Sequence, residues 1–368
     1  MRLAELHLGR PAWWRDAVRL FGCARALFSA GDAELTNLGL TLEGICLLRD
    51  SRPWAALEKR RADCRRAQIE IGAFTSEAYP ELLREIPDPP PILYYRGRVP
   101  ADLRPAVGVV GSRRPTRYGR HTAHAVSRAL AAAGVAVISG MAYGIDACAH
   151  AGALDAGLSA AVLACGLDRP YPRGNHHLFE MLVRQGTVLS EQPPGTDARA
   201  YLFPARNRIV TGLSSAVVVV EAAKRSGSLV SARLALEQGR EVFAVPGNID
   251  SPTSVGTNAL LRDGCAPFID VADVLHALGL ESVCDERGEA VRPHVDDPDA
   301  AAVLAVLEAR PSHVDRVVES CRLDGARVLE LLTALELAGL VERTAGGFAL
   351  SRGRRDGGRP GGATSSGA

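Results

Sequence analysis

The chain has 368 residues, of which 47% are hydrophobic, and this is enough material for two or three domains with cores of their own. Its 43 basic and 42 acidic side chains give a formal net charge of +1, so any nucleic-acid surface has to be local rather than global. The eight cysteines lack a CxxC pair and zinc-ligand spacing, no apolar run is long enough to cross a membrane, and no secretory signal is recognisable. We therefore expect reduced thiols, a cytoplasmic location, no membrane association and no metal site.

Residues 1–68 contain short helical patterns that Gly31 and Gly39 interrupt. They predict a small helical domain, and the cluster of arginines within 60–66 is typical of a solvated helix face. A proline-rich passage at 86–92 then forces an extended backbone, and Leu93–Gly97 is predicted to be a short strand or a docking segment.

Residues 69–280 alternate between short apolar runs and helical patterns. The candidate strands are 106–111, 135–139, 159–164, 187–190, 215–221 and 241–245. This alternation predicts an α/β domain with right-handed crossovers and a parallel sheet. Ligands of such open sheets lie at the carboxyl ends of the strands, so the loops that follow the strands are the places to search.

After a polar linker at 279–298, residues 299–350 form a separate pattern. Helices are predicted at 300–309, 313–321 and 325–337, followed by a β-hairpin that turns at Gly346-Gly347. Three helices and a hairpin predict a winged helix. Residues 351–368 are rich in glycine, arginine and serine, and we predict that they form a disordered tail.

The first post-strand loop is Gly111-Ser-Arg-Arg-Pro-Thr-Arg-Tyr-Gly119, which leads into a helical pattern. A strand, a small-residue turn and a helix N-terminus predict an anion pocket, because free backbone N–H groups and the helix dipole point outward there. Arg113, Arg114 and Arg117 add positive charge, which favours a phosphorylated ligand over a merely structural turn. The fingerprint G-x-G-x-x-G is absent, which argues against ordinary dinucleotide binding.

The second loop, Ser139-Gly-Met-Ala-Tyr-Gly-Ile-Asp146, carries a carboxylate at the start of the next helical pattern. Asp146 is expected to cap that helix rather than to act as an acid or base. His150 lies one helical turn later, and we expect it to be packed or hydrogen-bonded to Asp146.

The third loop, 165–175, is stiffened by Pro170 and Pro172, so Tyr171 and Arg173 are held in place. An aromatic ring beside a guanidinium suits a base and a phosphate, and the alternative is a structural turn in which Tyr171 is buried.

The fourth loop, Phe203-Pro-Ala-Arg-Asn-Arg208, places two arginines on one helix. Arg206 and Arg208 cannot face the same direction, so we expect one of them to make an internal salt bridge. Several phosphate-friendly loops on one sheet edge indicate an extended ligand rather than a single small phosphate.

Several catalytic patterns are absent from the sequence. It has no Walker A motif, nucleophile elbow, HExxH motif or obvious carboxylate pair. The residues by themselves therefore identify no catalytic residue and no cofactor.

These segments, taken in order, resemble the DNA-processing protein A (DprA, also called Smf) family from about Phe74 to Leu278. The first two quoted segments are Tyr79-Pro-Glu-Leu-Leu83 and Asp88-Pro-Pro-Pro-Ile-Leu-Tyr94. The others are Gly111–Gly119, Ser139–Asp146, Tyr171-Pro-Arg-Gly-Asn175, Phe203–Arg208 and Gly227-Ser-Leu-Val-Ser-Ala232. Each segment alone is a weak signal, and their common order is a specific one.

The resemblance implies an extended Rossmann-like sheet at 69–280, flanked by a small helical domain of the SAM-like type at 1–68 and a C-terminal winged helix at 299–350. It also implies a non-enzymatic protein that binds single-stranded DNA, protects incoming DNA, forms a homodimer and loads the RecA recombinase during natural transformation. Single-strand-binding protein is a further candidate partner. The family holds a DNA phosphate at the segment that matches Gly111, Ser112 and Arg113, and Arg173 stands where the family usually has lysine. The full predicted DNA site is Gly111, Ser112, Arg113, Arg114, Tyr171, Arg173 and Arg206.

Two other functions stay open at this point. The first is a nucleotide-hydrolysing Rossmann enzyme of the lysine-decarboxylase-like type, although its Pro-Gly-Gly-x-Gly-Thr loop is absent here. The second is a regulator that reads duplex DNA through the winged helix. Residues 313–340 have few basic side chains for a groove reader, namely Arg316, Arg322 and Arg327.

Overall fold

A computed structural model describes residues 13–50, 53–280, 297–309, 312–321, 323–337, 341–344 and 347–350. The chain divides into two compact units, residues 1–290 and 291–368. The predicted tail at 351–368 and the turn residue Gly346 lie outside the described residues, as does most of the predicted linker. A separate boundary at residue 68 stays a prediction.

The first unit begins with five helices, of which the first four surround a small core of their own, while Cys64 of the fifth joins the core beneath β2, β5 and β6. They are α1 (Trp13–Phe21), α2 (Ala24–Ser29), α3 (Asp32–Asn37), α4 (Leu42–Arg49) and α5 (Pro53–Arg66). Helix α1 buries Trp13, Trp14, Ala17 and Val18, which lie on one face at helical spacing. The Trp14 ring meets the edge of the Phe74 ring with centroids 4.8 Å apart, so these helices pack directly against the segment that follows β1.

Nine strands of the described residues form one sheet, in the order β1-β2-β6-β5-β4-β3-β7-β8-β9. They are β1 (Glu70–Ala73), β2 (Ile92–Gly97), β3 (Ala106–Val110), β4 (Ala136–Ser139), β5 (Ser159–Val162), β6 (Thr187–Ser190), β7 (Ala216–Val219), β8 (Glu241–Ala244) and β9 (Ala266–Pro267). Strands β3 to β9 pair in parallel, whereas β2 runs antiparallel to both β1 and β6. The predicted α/β fold with an extended, mainly parallel sheet is confirmed.

Helices cover both faces of the sheet, which explains why its central strands are apolar throughout. The helices are α6 (Glu81–Glu85), α7 (Arg117–Ala132), α8 (Ile145–Leu154), α9 (His176–Gln185), α10 (Leu202–Gly212), α11 (Gly227–Glu237), α12 (Val255–Arg262) and α13 (Val271–Ala277). Along β3, Val107 and Val109 join the core beneath α7 and α8, while Ala106 and Val110 join the core beneath α10 and α11. This alternation is the period-two pattern of a strand buried on both sides.

The strand order reverses at β3, because β4, β5 and β6 continue on one side of it and β7, β8 and β9 on the other. The carboxyl ends of these strands lie at one edge of the sheet. This edge is where the topology predicts ligand binding.

The second unit contains α14 (Pro298–Ala309), α15 (Val314–Cys321), α16 (Gly325–Leu337) and the hairpin of β10 (Val341–Thr344) and β11 (Gly347–Leu350). Its core includes Val303, Val317, Val328, Leu332 and Phe348. This is the arrangement of a winged helix, as predicted. Across the described parts of both units, no helix combines the length and hydropathy that a bilayer span requires.

Candidate nucleic-acid interface

The loop after β3 is held in a fixed shape by its own backbone and by the neighbouring loop. The Ser112 hydroxyl accepts a hydrogen bond from Arg114 N at 3.1 Å, and Ser112 O accepts one from Ile145 N at 3.1 Å. Gly144 has φ 83°, and a Cβ atom there would collide with Ser112 O and Pro115. Glycine at this position therefore permits the loop after β4 to pack directly beneath Ser112.

The predicted anion pocket at the start of α7 is filled by the protein itself. Thr116 caps α7, and its backbone N–H and hydroxyl donate to the two carboxylate oxygens of Glu221 at 2.9 and 2.5 Å. Glu221 is buried at the end of β7 and lies against Gly119, where a Cβ would collide with the carboxylate. A negative group already satisfies this helix N-terminus, so a ligand phosphate has to use the preceding residues, Gly111 to Arg114.

Arg113 and Tyr171 come together on the ring of Phe203, near the start of α10. The Arg113 guanidinium carbon lies 5.0 Å from the Phe203 ring centroid. The Tyr171 ring meets the same ring edge-on, with centroids 5.9 Å apart. Tyr171 is half exposed, so the alternative in which it is a buried turn residue is wrong. Phe203 was not predicted as a site residue. It belongs to the arginine-containing segment 203–208, which was predicted as a loop but forms the first turns of α10.

Arg173 lies in the same loop after β5 as Tyr171, and that loop is hydrogen-bonded to the loop after β4. The Asn175 side-chain amide donates to Met141 O at 2.9 Å and to Ala142 O at 3.3 Å. Tyr143 lies over Gly174, since a Cβ on Gly174 would be 2.8 Å from the Tyr143 hydroxyl. The loops after β3, β4 and β5 and the start of α10 therefore form one continuous surface.

The arginines of this surface are free to neutralise a ligand. Arg113, Arg114, Arg117 and Arg173 are exposed, and among the described residues none of their guanidinium groups has an ion pair. By contrast, Arg169 donates to Asp197 at 2.8 Å. The predicted residues Gly111, Ser112, Arg113, Arg114, Tyr171 and Arg173 thus lie on one edge of the sheet, and their contact with DNA stays a prediction.

Arg206 does not belong with them, and its prediction as a direct DNA contact is wrong for this structure. It is 5% exposed, and its guanidinium donates to Gly140 O and Val162 O. Burial raises the pKa of Asp146, and the positive charge of Arg206 opposes that shift. Arg206 therefore links the carboxyl ends of β4 and β5 by hydrogen bonds within the core. Its spacing from the buried Ile209 and Val210 was the signal that it faces the core.

Asp146 differs from its predicted role, whereas His150 is packed, which is one of its two predicted arrangements. Asp146 is in the first turn of α8 rather than at its N-cap, and it accepts hydrogen bonds from Gly140 N at 3.2 Å and Ala142 N at 3.3 Å. It thus shapes the loop after β4. His150 is buried as expected, but its Nδ1 pairs with the Ser159 hydroxyl at 2.8 Å instead of with Asp146.

The expected internal salt bridge on α10 belongs to Arg208. Its guanidinium pairs with Asp88 at 3.0 Å and with Glu191 at 2.6 Å. The two arginines of the fourth loop are therefore both structural, one through backbone carbonyls and one through carboxylates.

Family models match both of the domains that the fold contains, the sheet domain and the winged helix. A family model described as DNA recombination-mediator protein A matches residues 70–279, and a model of the DprA winged helix domain matches residues 288–347. Protein Smf of Synechocystis sp. is 36% identical over 306 residues, covering 73% of this chain and 76% of the relative. Protein Smf of Escherichia coli is 40% identical over 285 residues, covering 75% and 76%.

Two solved structures share the fold at clear sequence identity. DNA processing protein A from Streptococcus pneumoniae matches with a TM-score of 0.55 at 35% identity, covering 66% of this chain and 88% of that chain. The protein from Helicobacter pylori, described for its single-stranded DNA binding mode, matches with a TM-score of 0.52 at 31% identity, covering 57% and 95%. With the first family model alone spanning more than half of its length, the chain belongs to the DNA recombination-mediator protein A family.

Proposed function

We propose that this protein binds single-stranded DNA along the carboxyl edge of its sheet. The observation that carries the proposal is the group of exposed guanidinium groups without ion pairs on loops that the fold holds rigid. Family membership supports it, as does the single-strand binding described for the Helicobacter pylori protein.

In this proposal, the backbone amides and the Ser112 hydroxyl at Gly111–Arg113 grip one phosphate, which Arg113 neutralises. Arg173 neutralises a neighbouring phosphate, Tyr171 lines the pocket, and Arg114 adds charge at its rim. Guanidinium is suited to this role because it is always charged and presents several donors to phosphate oxygens. Such contacts fix the strand without reading its sequence.

Beyond binding, we propose the role of a recombination mediator. The protein would act without catalysis in the cytoplasm, as a homodimer that shields incoming single strands and loads RecA, with single-strand-binding protein as a further partner. This part rests on the family alone, and no described residue is assigned to a RecA or dimer contact.

The test measures single-strand affinity of Arg113→Ala and Arg173→Ala across a range of salt concentrations. Each change should weaken binding about tenfold or more, because a charge-assisted hydrogen bond to phosphate is lost. Each should also reduce the salt slope by about 0.7 per phosphate contact.

Arg98→Ala is the matched control. Arg98 is exposed and follows β2, next to the amino end of β6, where its carbonyl accepts from Thr187 Oγ1 at 3.1 Å. Its removal should leave affinity unchanged. Wild-type affinity in both edge variants would remove the proposed site, and release of free base from nucleoside monophosphates would favour the nucleotide-hydrolysing alternative.

A further inference from the structure

Among the described phenylalanine, tryptophan and tyrosine side chains, the exposed ones are all tyrosines, and all follow strands on the same edge. Their exposed fractions are 55% for Tyr118, 49% for Tyr143, 48% for Tyr171 and 65% for Tyr201. They come after β3, β4, β5 and β6, which are four neighbouring strands of the sheet. The chain thus presents one exposed ring after each strand on this half of the edge.

This distribution is not what burial of apolar surface produces. The other three tyrosines, Tyr79, Tyr94 and Tyr95, are buried. An aromatic ring gains a large stabilisation from burial, so rings left in water at one place indicate a surface that is covered when a ligand binds.

Three of the rings lie around the proposed phosphate contacts. Tyr171 packs edge-on against Phe203, and the guanidinium group of Arg113 lies over the same Phe203 ring. Tyr143 lies over Gly174, next in sequence to Arg173. Tyr201 immediately precedes α10 and is two residues from Phe203. Tyr118 lies on the other side of β3, where its hydroxyl is 3.5 Å from Pro246 O in the loop after β8.

The phosphate contacts alone do not explain a preference for unpaired DNA, because a duplex offers the same phosphates. Aromatic rings supply that preference, since only unpaired bases have faces free to stack on them. Tyr143, Tyr171 and Tyr201 follow β4, β5 and β6, which lie side by side in the sheet at the usual strand spacing of about 4.8 Å.

We propose that Tyr143, Tyr171 and Tyr201 form an aromatic row on which successive unpaired bases stack. Arg113 and Arg173 hold the phosphates of the same stretch of DNA. The strand then crosses the ends of β4, β5 and β6 rather than entering between β3 and β7, where Glu221 occupies the start of α7. This inference rests on the proposed single-strand binding and names the groups that distinguish unpaired from paired DNA.

The experiment uses the full chain and two fluorescent probes of equal length, an oligothymidylate and an oligomer of abasic sugar phosphates. Tyr143→Ala and Tyr201→Ala should each weaken binding of oligothymidylate by about 5- to 100-fold, the range for loss of one stacked base. Binding of the abasic probe should stay the same, and so should the salt slope, because no phosphate contact is removed. Tyr143→Phe and Tyr201→Phe keep the ring and should restore wild-type affinity.

Leu236→Ala serves as the control for loss of an exposed apolar side chain, since Leu236 lies in the last turn of α11. Equal weakening on both probes would show that the tyrosines only support the loops, and that result overturns the aromatic row. Unchanged affinity of the alanine variants also overturns it, while leaving the arginine contacts intact. Failure of the wild-type protein to bind either probe would instead reject the proposed function itself.

Discussion

Arg113 and Arg206 have the same side chain, lie close to each other in the fold and have different environments. Arg113 is exposed over an aromatic ring, whereas Arg206 is buried and donates to two backbone carbonyls. The proximity of the two is visible in the pKa of Arg206, which burial lowers and the charge of Arg113 lowers further. An arginine such as Arg206, in a segment that forms a helix, therefore has to be assigned to a helix face before it is assigned to DNA.

His150 gives a residue-scale prediction about pH. The Ser159 hydroxyl donates to Val137 O at 2.9 Å, so it accepts from His150 Nδ1–H, and Nε2 is left buried without a partner. Burial lowers the pKa of His150 from 6.5 to about 3, and the nearby Arg206 charge adds to the shift.

The sign follows from proton binding. Between pH 6.5 and about 3, the unfolded chain binds a proton at His150 that the folded chain does not, so stability is lost as the pH falls through this window. The free energy of unfolding lost through His150 approaches about 1.4 kcal/mol for each pH unit within this window. His150→Asn should therefore have a shallower loss of unfolding free energy between pH 7 and pH 5, measured by urea denaturation. His177→Asn, at an exposed position, should retain the wild-type slope; an identical slope in the His150 variant would contradict the prediction.

At the scale of the element, Glu221 links two strands of the switch region. It lies two residues after β7 and accepts both hydrogen bonds from Thr116, the N-cap of α7, which follows β3. We expect Glu221→Ala to lower the free energy of unfolding by about 1–3 kcal/mol, because a partly buried N–H and hydroxyl lose their acceptor. Glu221→Gln keeps one oxygen and should cost less.

Denaturation by urea measures both variants. The control is Glu237→Ala on α11, where an exposed carboxylate pairs with Arg233 at 3.5 Å and should contribute less than about 0.5 kcal/mol. A cost for Glu221→Ala as small as that of the control would show that the start of α7 is stable without the carboxylate.

The local sequence pattern predicts the bounds of the central strands well, but it does not predict how strands pair. The six predicted central strands agree with β3 to β8 to within two residues at each end, because strands buried on both faces are short, continuous apolar runs. The segment 93–97 was predicted as a strand, but its antiparallel direction and its pairing with β1 were not. Pairing direction depends on where the chain returns in space, which a local pattern does not contain.

The same contrast holds for the site. Glycine, proline and arginine after a strand identified the loops of Ser112 and Arg173, since turn chemistry is local. The occupation of the α7 start by Glu221 and the internal position of Arg206 were not predicted, because both depend on contacts between segments far apart in sequence.

At the scale of the whole molecule, all predicted DNA contacts lie within residues 1–290. The third helix of the winged unit, α16, contains one basic residue, Arg327, which pairs with Asp297, Asp299 and Glu330. An arginine engaged by three carboxylates is poorly suited to contact the phosphates of a duplex groove.

We therefore expect a chain that ends at residue 290 to retain wild-type affinity and salt slope for an oligothymidylate. Fluorescence anisotropy titrations of the full and shortened chains check this, and circular dichroism confirms that the shortened chain is folded. A large loss of affinity in a folded shortened chain would place essential DNA contacts in the second unit.

The far end of the sheet, beyond β8, carries a consequence for self-association. Its last strand, β9, consists of Ala266 and Pro267, and proline has no N–H to donate to an added strand. Such a short edge strand offers few backbone groups with which a strand of another chain could pair. This protects the folded chain from edge-to-edge aggregation at this end of the sheet. A second copy that docks here must rely on fitting side chains together, and its orientation is then set by shape rather than by backbone pairing.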